Sequence, residues 1–413
     1  MNNQQTSSDV TISGAGLVGS LLALALDRYG FTVTLIDQRD WFEELPQSDG
    51  RASAIAGDCW QMLNVLGLTS FLKGQKIHGM RVDEAVLDHE KTKFSLQFDD
   101  QGETSALLGI MVENHQLRKT LNQALKQSRQ IKFAAKNKIT SFQSLGGEVT
   151  CKLSRREDLT TRLLVSAEGK GSKLKELAGI KTQSSDYAQA GIVCTVSHEQ
   201  PHEGLAYQWF LPNGPFALLP LQGTQEQPNR SSIVWSEQRD LAAAIMMVDD
   251  QEFSSQMQRR FGDVLGKLQI EGGRWSFPLS ASIADSFAKD RLVLVGDSAH
   301  SIHPLAGQGL NLGVRDVATL TEVLVDARKL GLDFGSDLIL ANYEGARRFD
   351  SSMALGLMDG LNNLFSNSHP PARLLTSIGL PVVNRLESLK AFLVGKAGGQ
   401  SSNQPKLLKG EEI

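Results

Sequence analysis

Hydrophobic and polar positions switch between two periods along this chain. Residues 9–14 (DVTISG) form a short, mostly apolar run of the kind that makes a buried strand, and residues 17–29 are small or apolar throughout at helical length. A second apolar run at 31–36 completes a βαβ unit. The spacing then changes: within residues 76–104, VDEAVLDHEKTKFSLQF alternates loosely at period two between charged turns and predicts an antiparallel excursion. Residues 113–128 return to helical spacing, with Leu117, Leu121 and Leu125 on one face.

Strand-like stretches follow in KFAAKNKITSFQ and TCKLSRREDLTTRLLVSAEG, the second ending on a turn at Glu168 and Gly169 that predicts another βα junction. Between Gln189 and about Phe277, the runs AGIVCTVS, LAYQWFLP, GPFALLPL and SSIVWSE are rich in Val, Ile, Trp and Phe and predict one antiparallel sheet. Residues 291–296 (RLVLVG) read as a strand, and 309–329 and 341–365 as helices. The pattern predicts the α/β class. A Rossmann-like domain, discontinuous in sequence (1–75, 105–180 and 280–340), carries an inserted antiparallel β-sheet domain (76–104 and 181–279). A C-terminal helical region (341–394) and a linker-like, mobile tail (395–413) complete the chain.

Length and composition narrow the function classes. At 413 residues the chain is long enough for two packed domains around a large core. With 42 Lys and Arg against 46 Asp and Glu, the net charge of -4 provides no basic field for a polyanion, so nucleic acid is excluded as a partner. The opening residues MNNQQTSSDV show neither a signal peptide nor a transit peptide, which predicts a cytoplasmic protein. Cys59, Cys151 and Cys194 fit no zinc or CxxC spacing and suit a reducing compartment. No segment has the ~20 unbroken apolar residues of a spanning helix, so any membrane contact is expected to be peripheral.

The first chemical motif is Gly14-Ala15-Gly16-Leu17-Val18-Gly19, which follows the first strand and opens the first helix. Gly14 permits the tight turn, Gly16 lets the backbone approach a pyrophosphate, and Gly19 lets the helix approach the sheet, while the helix N-terminus offers an anion site. Asp37, ending the second strand, is placed to accept hydrogen bonds from a ribose diol. Strand, helix and acid together indicate a dinucleotide but do not separate NAD from FAD.

The second constellation is GDSAHSIHPLAGQGLNLGVRD, containing Gly296, Asp297, Pro304, Gly307, Gly309, Leu310 and Asn311. Asp297 ends an apolar strand, where a carboxylate can accept from ribityl hydroxyls. Gly307 and Gly309 let backbone approach a flat ring, and the helix beginning there directs N–H groups and positive dipole at it. His300 and His303 lack a third ligand nearby and are assigned no metal.

This segment resembles the second FAD motif of the single-component flavin aromatic hydroxylases, the group containing p-hydroxybenzoate hydroxylase. HPLAGQGLNLGVRDV and the earlier DGRASAI (residues 49–55) are most similar to the ubiquinone-biosynthesis hydroxylases, over essentially the whole chain to about residue 394. The resemblance implies FAD as cofactor and NAD(P)H as co-substrate, with O2 added to the reduced flavin as a C4a-hydroperoxide that hydroxylates an aromatic ring. It further implies a polyprenylated phenol or quinol precursor of ubiquinone as substrate. Such a greasy substrate implies peripheral docking at the inner face of the membrane, or a partner assembly, with residues 374–394 (LLTSIGLPVVNRLESLKAFLV) as the candidate contact or else an ordinary packed helix. The alternatives are a flavin oxidoreductase that inserts no oxygen, and an inactive flavin-binding member of a biosynthetic complex.

Three further positions match the family. Arg51, in DGRASAI, lies where relatives bring a basic residue beside the flavin, the alternative being a surface salt bridge. Asn114 lies where relatives contact the cofactor from a helix, or else caps that helix. The motif that is Asp-Gly in relatives, touched there by FAD and nicotinamide, reads Ser166-Ala167-Glu168-Gly169 here; Glu168 adds a methylene, and the alternative is that it caps the following helix. Tyr207, Trp209, Phe210, Pro212 and Phe216 lie in the stretch resembling the substrate wall, with Tyr207, Trp209 and Phe216 the expected pocket residues and plain core the alternative. Arg347 and Arg348 read as exposed helix charge. No catalytic triad or carboxylate pair is present or required.

Overall fold

A computed structural model of the chain describes residues 6–40, 42, 50–84, 95–99, 108–211, 213–302, 309–365 and 404–413. The first sheet is built on the parallel strands β1 (Thr6–Ser13), β2 (Val33–Ile36), β8 (Ile131–Ala134), β11 (Leu159–Ser166) and β18 (Leu292–Leu294), in the order β18-β11-β1-β2-β8. The short β17 (Ala288–Lys289) pairs β18, and the antiparallel β9 (Ile139–Leu145) and β10 (Glu148–Leu153) extend from β11. Their register brings Ser13, Ile36, Ser166 and Leu294 to the same edge. In an open parallel sheet the loops leaving this carboxyl edge form the ligand crevice.

The helices of this half are α1 (Leu17–Arg28), α2 (Gly57–Val65), α3 (Asn114–Gln127), α4 (Lys173–Leu177), α7 (Gly309–Lys329) and α8 (Asp337–Phe365). Helix α1 packs on α3 and α7 because its small and apolar residues, Ser20 to Ala23 with Ala25 and Leu26, are buried on all sides.

The second sheet runs β19-β16-β12-β15-β14-β13-β5-β6. Its strands are β5 (Gly79–Glu84), β6 (Ser95–Asp99), β12 (Thr182–His198), β13 (Leu205–Leu211), β14 (Gly214–Leu221), β15 (Arg230–Gln238), β16 (Leu268–Ala284) and β19 (His300–Ser301). Two helices that the sequence patterning did not separate from the sheet, α5 (Arg239–Met247) and α6 (Asp250–Phe261), cover one face of it. Ala242, Ile245, Phe253, Met257 and Phe261 from these helices close a core with Ile192, Cys194 and Trp235. The opposite face meets a third sheet, β3 (Ala52–Ile55), β7 (Gly109–Glu113) and β4 (Gln75–Ile77), through Ala54, Ile77 and Met111 against Ala206, Ala217 and Leu219.

The end of the chain departs from expectation. Within the tail read as mobile, residues 404–413 are docked: α9 (Lys406–Lys409) buries Leu407 and Leu408 against the core beside α2 and α7. Glu412 pairs with Arg28 and Tyr29, and Gln404 Nε2 donates to Asp58. Two leucines outweigh the polar, Gly-rich composition around them, because each fully buried Leu contributes about 1.5–3 kcal/mol. Residues 374–394, the candidate membrane contact, lie outside the described residues.

Candidate active site

The fingerprint turn is built by steric necessity at two of its glycines. Gly14 sits at φ +105°, and a Cβ there would overlap the Ala167 carbonyl. A Cβ on Gly19 would overlap Gly14 O, so only hydrogen allows α1 to approach its own entry turn. Gly16 differs: it caps α1 with φ -63° and ψ -176°, and a Cβ there would meet nothing within 4 Å. No described residue requires its smallness, and it opens a helix N-terminus whose first turn carries no acidic residue.

The neighbours of this turn are hydrogen-bonded to it. Asp37 Oδ2 accepts from Ala15 N at 2.7 Å and Oδ1 accepts from Arg39 N at 2.8 Å, leaving lone pairs on both oxygens for a diol. Ala15 is buried and takes part through its backbone, its carbonyl accepting from Arg118 Nη1 at 2.5 Å. Arg118 went unread in the sequence, where it is one charge among several on α3. Burial pulls its guanidinium down to about 10, opposed by Asp37. Leu17 and Val18 contribute packing: Val18 fills the gap between Gly296 and Gly313, where a Cβ on Gly313 would come within 2.6 Å of Val18 Cγ2.

The second motif lies on the same side of the sheet. Gly296, at φ +58°, turns the chain out of β18 and donates its N–H to Asp316 Oδ2 at 2.8 Å. Asp297 is solvent-exposed, yet crowding by the surrounding protein raises its carboxyl above the usual range, against the pull of Lys170, His300 and Arg51. Helix α7 begins at Gly309, where a Cβ would meet nothing within 4 Å, and Leu310 packs partly on the core. Asn311 is spent on the protein: its Oδ1 accepts from Ala56 N at 3.0 Å and its Nδ2 donates to Ala54 O at 2.8 Å. Only its backbone remains for a ligand. Pro304 and Gly307, with His303, lie outside the described residues.

Arg51 and Asn114 are brought together, since Asn114 N donates to Arg51 O at 2.9 Å and Asn114 Oδ1 accepts from Ser53 Oγ at 2.8 Å. Asn114 is the first helical residue of α3, the cap position being Glu113. The Arg51 guanidinium stands 5.0 Å from the centroid of the Phe277 ring. Glu168 follows the helix-capping alternative. Its Oε1 accepts from Ser13 Oγ at 2.6 Å, and its Oε2 from Ser172 Oγ at 2.9 Å and Leu174 N at 3.1 Å. The extra methylene lets this carboxylate reach the start of α4, so its side chain is turned to protein donors rather than to a ligand.

The expected substrate wall needs correction. Tyr207, Trp209 and Phe216 are buried in the core under α5 and α6, with Tyr207 and Trp209 stacked at 5.5 Å and Phe261 edge-on to Trp209 at 4.8 Å. Strand side chains alternate, so Gln208, opposite Ala217, and the half-buried Phe210 belong to the other face. Pro212 lies outside the described residues. The aromatics that meet the DGRASAI segment are Trp275 and Phe277 on β16, both half-buried: Trp275 lies against Gly50, where a Cβ would overlap its ring, and Phe277 lies under Arg51. Gln208 is buried with its Nε2 unpartnered.

Behind the second motif lies a charged cluster. Asp316 is 0% exposed and its carboxylate accepts from Gly296 N, from His300 Nε2 at 2.7 Å and from Arg347 Nε at 2.7 Å. Burial opposes its charge, but His300 and Arg347 outweigh burial and hold the carboxyl below the usual range. Arg347 is thus buried rather than exposed helix charge, whereas Arg348 is exposed. Among the described residues no group of three His, Cys, Asp or Glu is placed to hold a metal, and no helix is long and apolar enough to cross a membrane.

The turns at the sheet edge fit a flavin dinucleotide: one open glycine at a helix N-terminus, a diol-accepting acid beside it, and a second acid on the cleft floor beside another helix start. Comparison with known proteins agrees. The sequence model described as "FAD binding domain" matches residues 7–348. "Ubiquinone hydroxylase UbiL" of Rhodospirillum rubrum is 39% identical, covering 98% of this chain and 93% of that protein. "3-demethoxyubiquinol 3-hydroxylase" of Escherichia coli is 32% identical, over 94% and 97% respectively. Among solved structures, p-nitrophenol 4-monooxygenase from Pseudomonas putida DLL-E4 superposes with a TM-score of 0.77 at 17% identity, covering 96% of this chain and 100% of that one, and so shares the fold. Fold, motifs and relatives converge: the chain belongs to the FAD-binding-domain family, with the ubiquinone hydroxylases, and is an FAD-dependent monooxygenase.

Proposed function

We propose that this monooxygenase hydroxylates the ring of a polyprenylated phenol or quinol on the route to ubiquinone, in the cleft between the carboxyl edge of the parallel sheet and the third-sheet side of the antiparallel sheet. The observations that carry this reading are the open Gly16 at the N-terminus of α1 with Asp37 held beside it, and Arg51, whose charge acts on Asp297 of the first half and whose guanidinium stands over Phe277 of the second. The hydroxylase names of relatives matched over nearly their whole length support the substrate class.

In this reading the N-terminus of α1, with Gly16 kept small, receives the pyrophosphate, Asp37 accepts from the ribose, and Asp297 accepts from the ribityl chain. The first N–H groups of α7 have no acceptor within their helix, so they and the helix dipole would offer donors and positive potential to negative charge on a bound flavin. Bound FAD supplies the two-electron and oxygen chemistry. Trp275 and Phe277 exclude water and present a flat apolar surface to an aromatic head, while Gln208 adds a polar group on that face of the sheet. Glu168 acts indirectly, fixing the Ala167–Gly169 turn that Gly14 packs against. The apolar tail of the substrate makes delivery from a bilayer the expected route, with peripheral contact through residues 374–394.

The test is incubation of FAD-loaded protein with NAD(P)H, 18O2 and a prenylated phenol, followed by mass spectrometry. A product heavier by one 18O atom supports the reading; NAD(P)H oxidation and substrate turnover without label would overturn it. Removal of residues 374–394 is expected to release the protein from membranes.

A further inference from the structure

Helix α7 carries two side-chain clamps one and a half turns apart. Asn311 grips the backbone of β3 at Ala54 and Ala56, on the strand that follows Arg51. Asp316 grips the turn that carries Asp297, from both of its ends: Gly296 N on one side and the His300 ring on the other. Arg347 reaches in from α8 to hold the same carboxylate and extends its Nη1 to Asp350 at 2.8 Å. One fully buried carboxylate thus joins three separate pieces of chain: α7, the turn from Gly296 to His300, and α8.

Stability alone does not account for this cluster. Desolvating a carboxylate and a guanidinium roughly cancels their attraction, and well-packed apolar residues often serve the fold as well or better. The cluster is also imperfectly satisfied, since Arg347 Nη2 and the neighbouring Ser351 Oγ are buried without partners. What such an arrangement provides is fixed geometry: the acid on the cleft floor and the first turn of α7 are held at a constant offset.

Resting on the FAD reading above, we propose that Asp316, with His300 and Arg347, is a positioning hub that holds Asp297 and the N-terminus of α7 as one unit against the cofactor, and so sets both FAD affinity and flavin potential. Asp316 touches neither cofactor nor substrate; it acts through the groups it orients.

The experiment compares His300→Leu, His300→Gln and Arg347→Met with Tyr343→Phe in the full-length protein. Tyr343→Phe removes a buried hydrogen bond to Leu294 O at 2.9 Å from the same helix as Arg347, beside the hub but without removing any of the hydrogen bonds to Asp316. Thermal midpoint, FAD dissociation constant and flavin midpoint potential are measured for each. His300→Leu and Arg347→Met are expected to weaken FAD binding by about tenfold or more and to shift the potential, as loss of a buried charge-assisted hydrogen bond predicts. His300→Gln, which keeps a donor for Asp316, is expected to restore most of both, and Tyr343→Phe to lower only the thermal midpoint. The proposal is overturned if FAD affinity simply follows thermal stability across all four variants, or if the potential stays constant. Failure of the wild-type protein to take up FAD would instead overturn the cofactor reading beneath it.

Discussion

The two walls of the cleft were built by different rules. On the parallel-sheet wall the chemistry sits in contiguous turns, and each residue's task follows from its distance along the chain to a strand end. On the antiparallel wall a residue's surroundings depend on which face of a strand it occupies, so Gln208 and Trp209, adjacent in sequence, face the third sheet and the α5–α6 core respectively. Local spacing is therefore a good guide to the first wall and a poor one to the second.

Glycine substitutions give the sharpest test of the first wall. Gly14→Ala is expected to be the most damaging, combining a left-handed backbone strained by about 1–3 kcal/mol with overpacking of similar size against Ala167. Gly16→Ala, with no protein atom in its way, is expected to leave the thermal midpoint of the apoprotein nearly unchanged while weakening FAD binding. If calorimetry shows the two variants equally destabilised, the division of labour among these glycines is wrong.

On the second wall the pair to compare is Trp209→Ala and Phe277→Ala. Truncating the buried Trp209 is expected to cost about 3–5 kcal/mol in denaturant unfolding. Phe277→Ala is expected to cost far less stability but to raise the fraction of NAD(P)H oxidised without hydroxylated product. Reversed outcomes would return Trp209 to the substrate wall. Removing residues 404–413 asks whether the first wall stands alone. Loss of the buried Leu407 and Leu408 is expected to lower stability by about 3 kcal/mol or more, seen as a lower thermal midpoint.

The smallest effect concerns Asp297. Its carboxyl titrates higher in the folded chain than in the unfolded one, so ionisation opposes folding: the penalty is absent in acid, grows as pH rises from the ordinary carboxylate range through the raised value, and is complete above it. Asp297→Asn is therefore expected to raise the apoprotein's thermal midpoint slightly at pH 7 and not in acid, while weakening FAD binding. A drop in midpoint at pH 7 would contradict that sign.

Much of the molecule was legible in order of sequence. The apolar runs and glycine spacing predicted the βαβ entry, Asp37 and the start of α7 at Gly309, because strand ends, turns and helix starts are set by neighbours a few residues apart. Four features were not. Tyr207, Trp209 and Phe216 are core because helices α5 and α6 cover their face of the sheet, and a period-two pattern states that two faces exist without saying which one is covered. Glu168 turned to cap α4, and Asn311 turned to β3, because partners close in space won their side chains. Arg347 looked like surface charge until Asp316, on another helix, was brought against it. The docked residues 404–413 look like linker because their burial is provided by α2 and α7, hundreds of residues earlier in the first case. The sequence by itself determined the cofactor class and the elements that present it, since both follow from local geometry. Only the tertiary structure decided which side chains face the cleft and which are consumed in holding it, because burial and pairing depend on contacts between residues far apart in the chain.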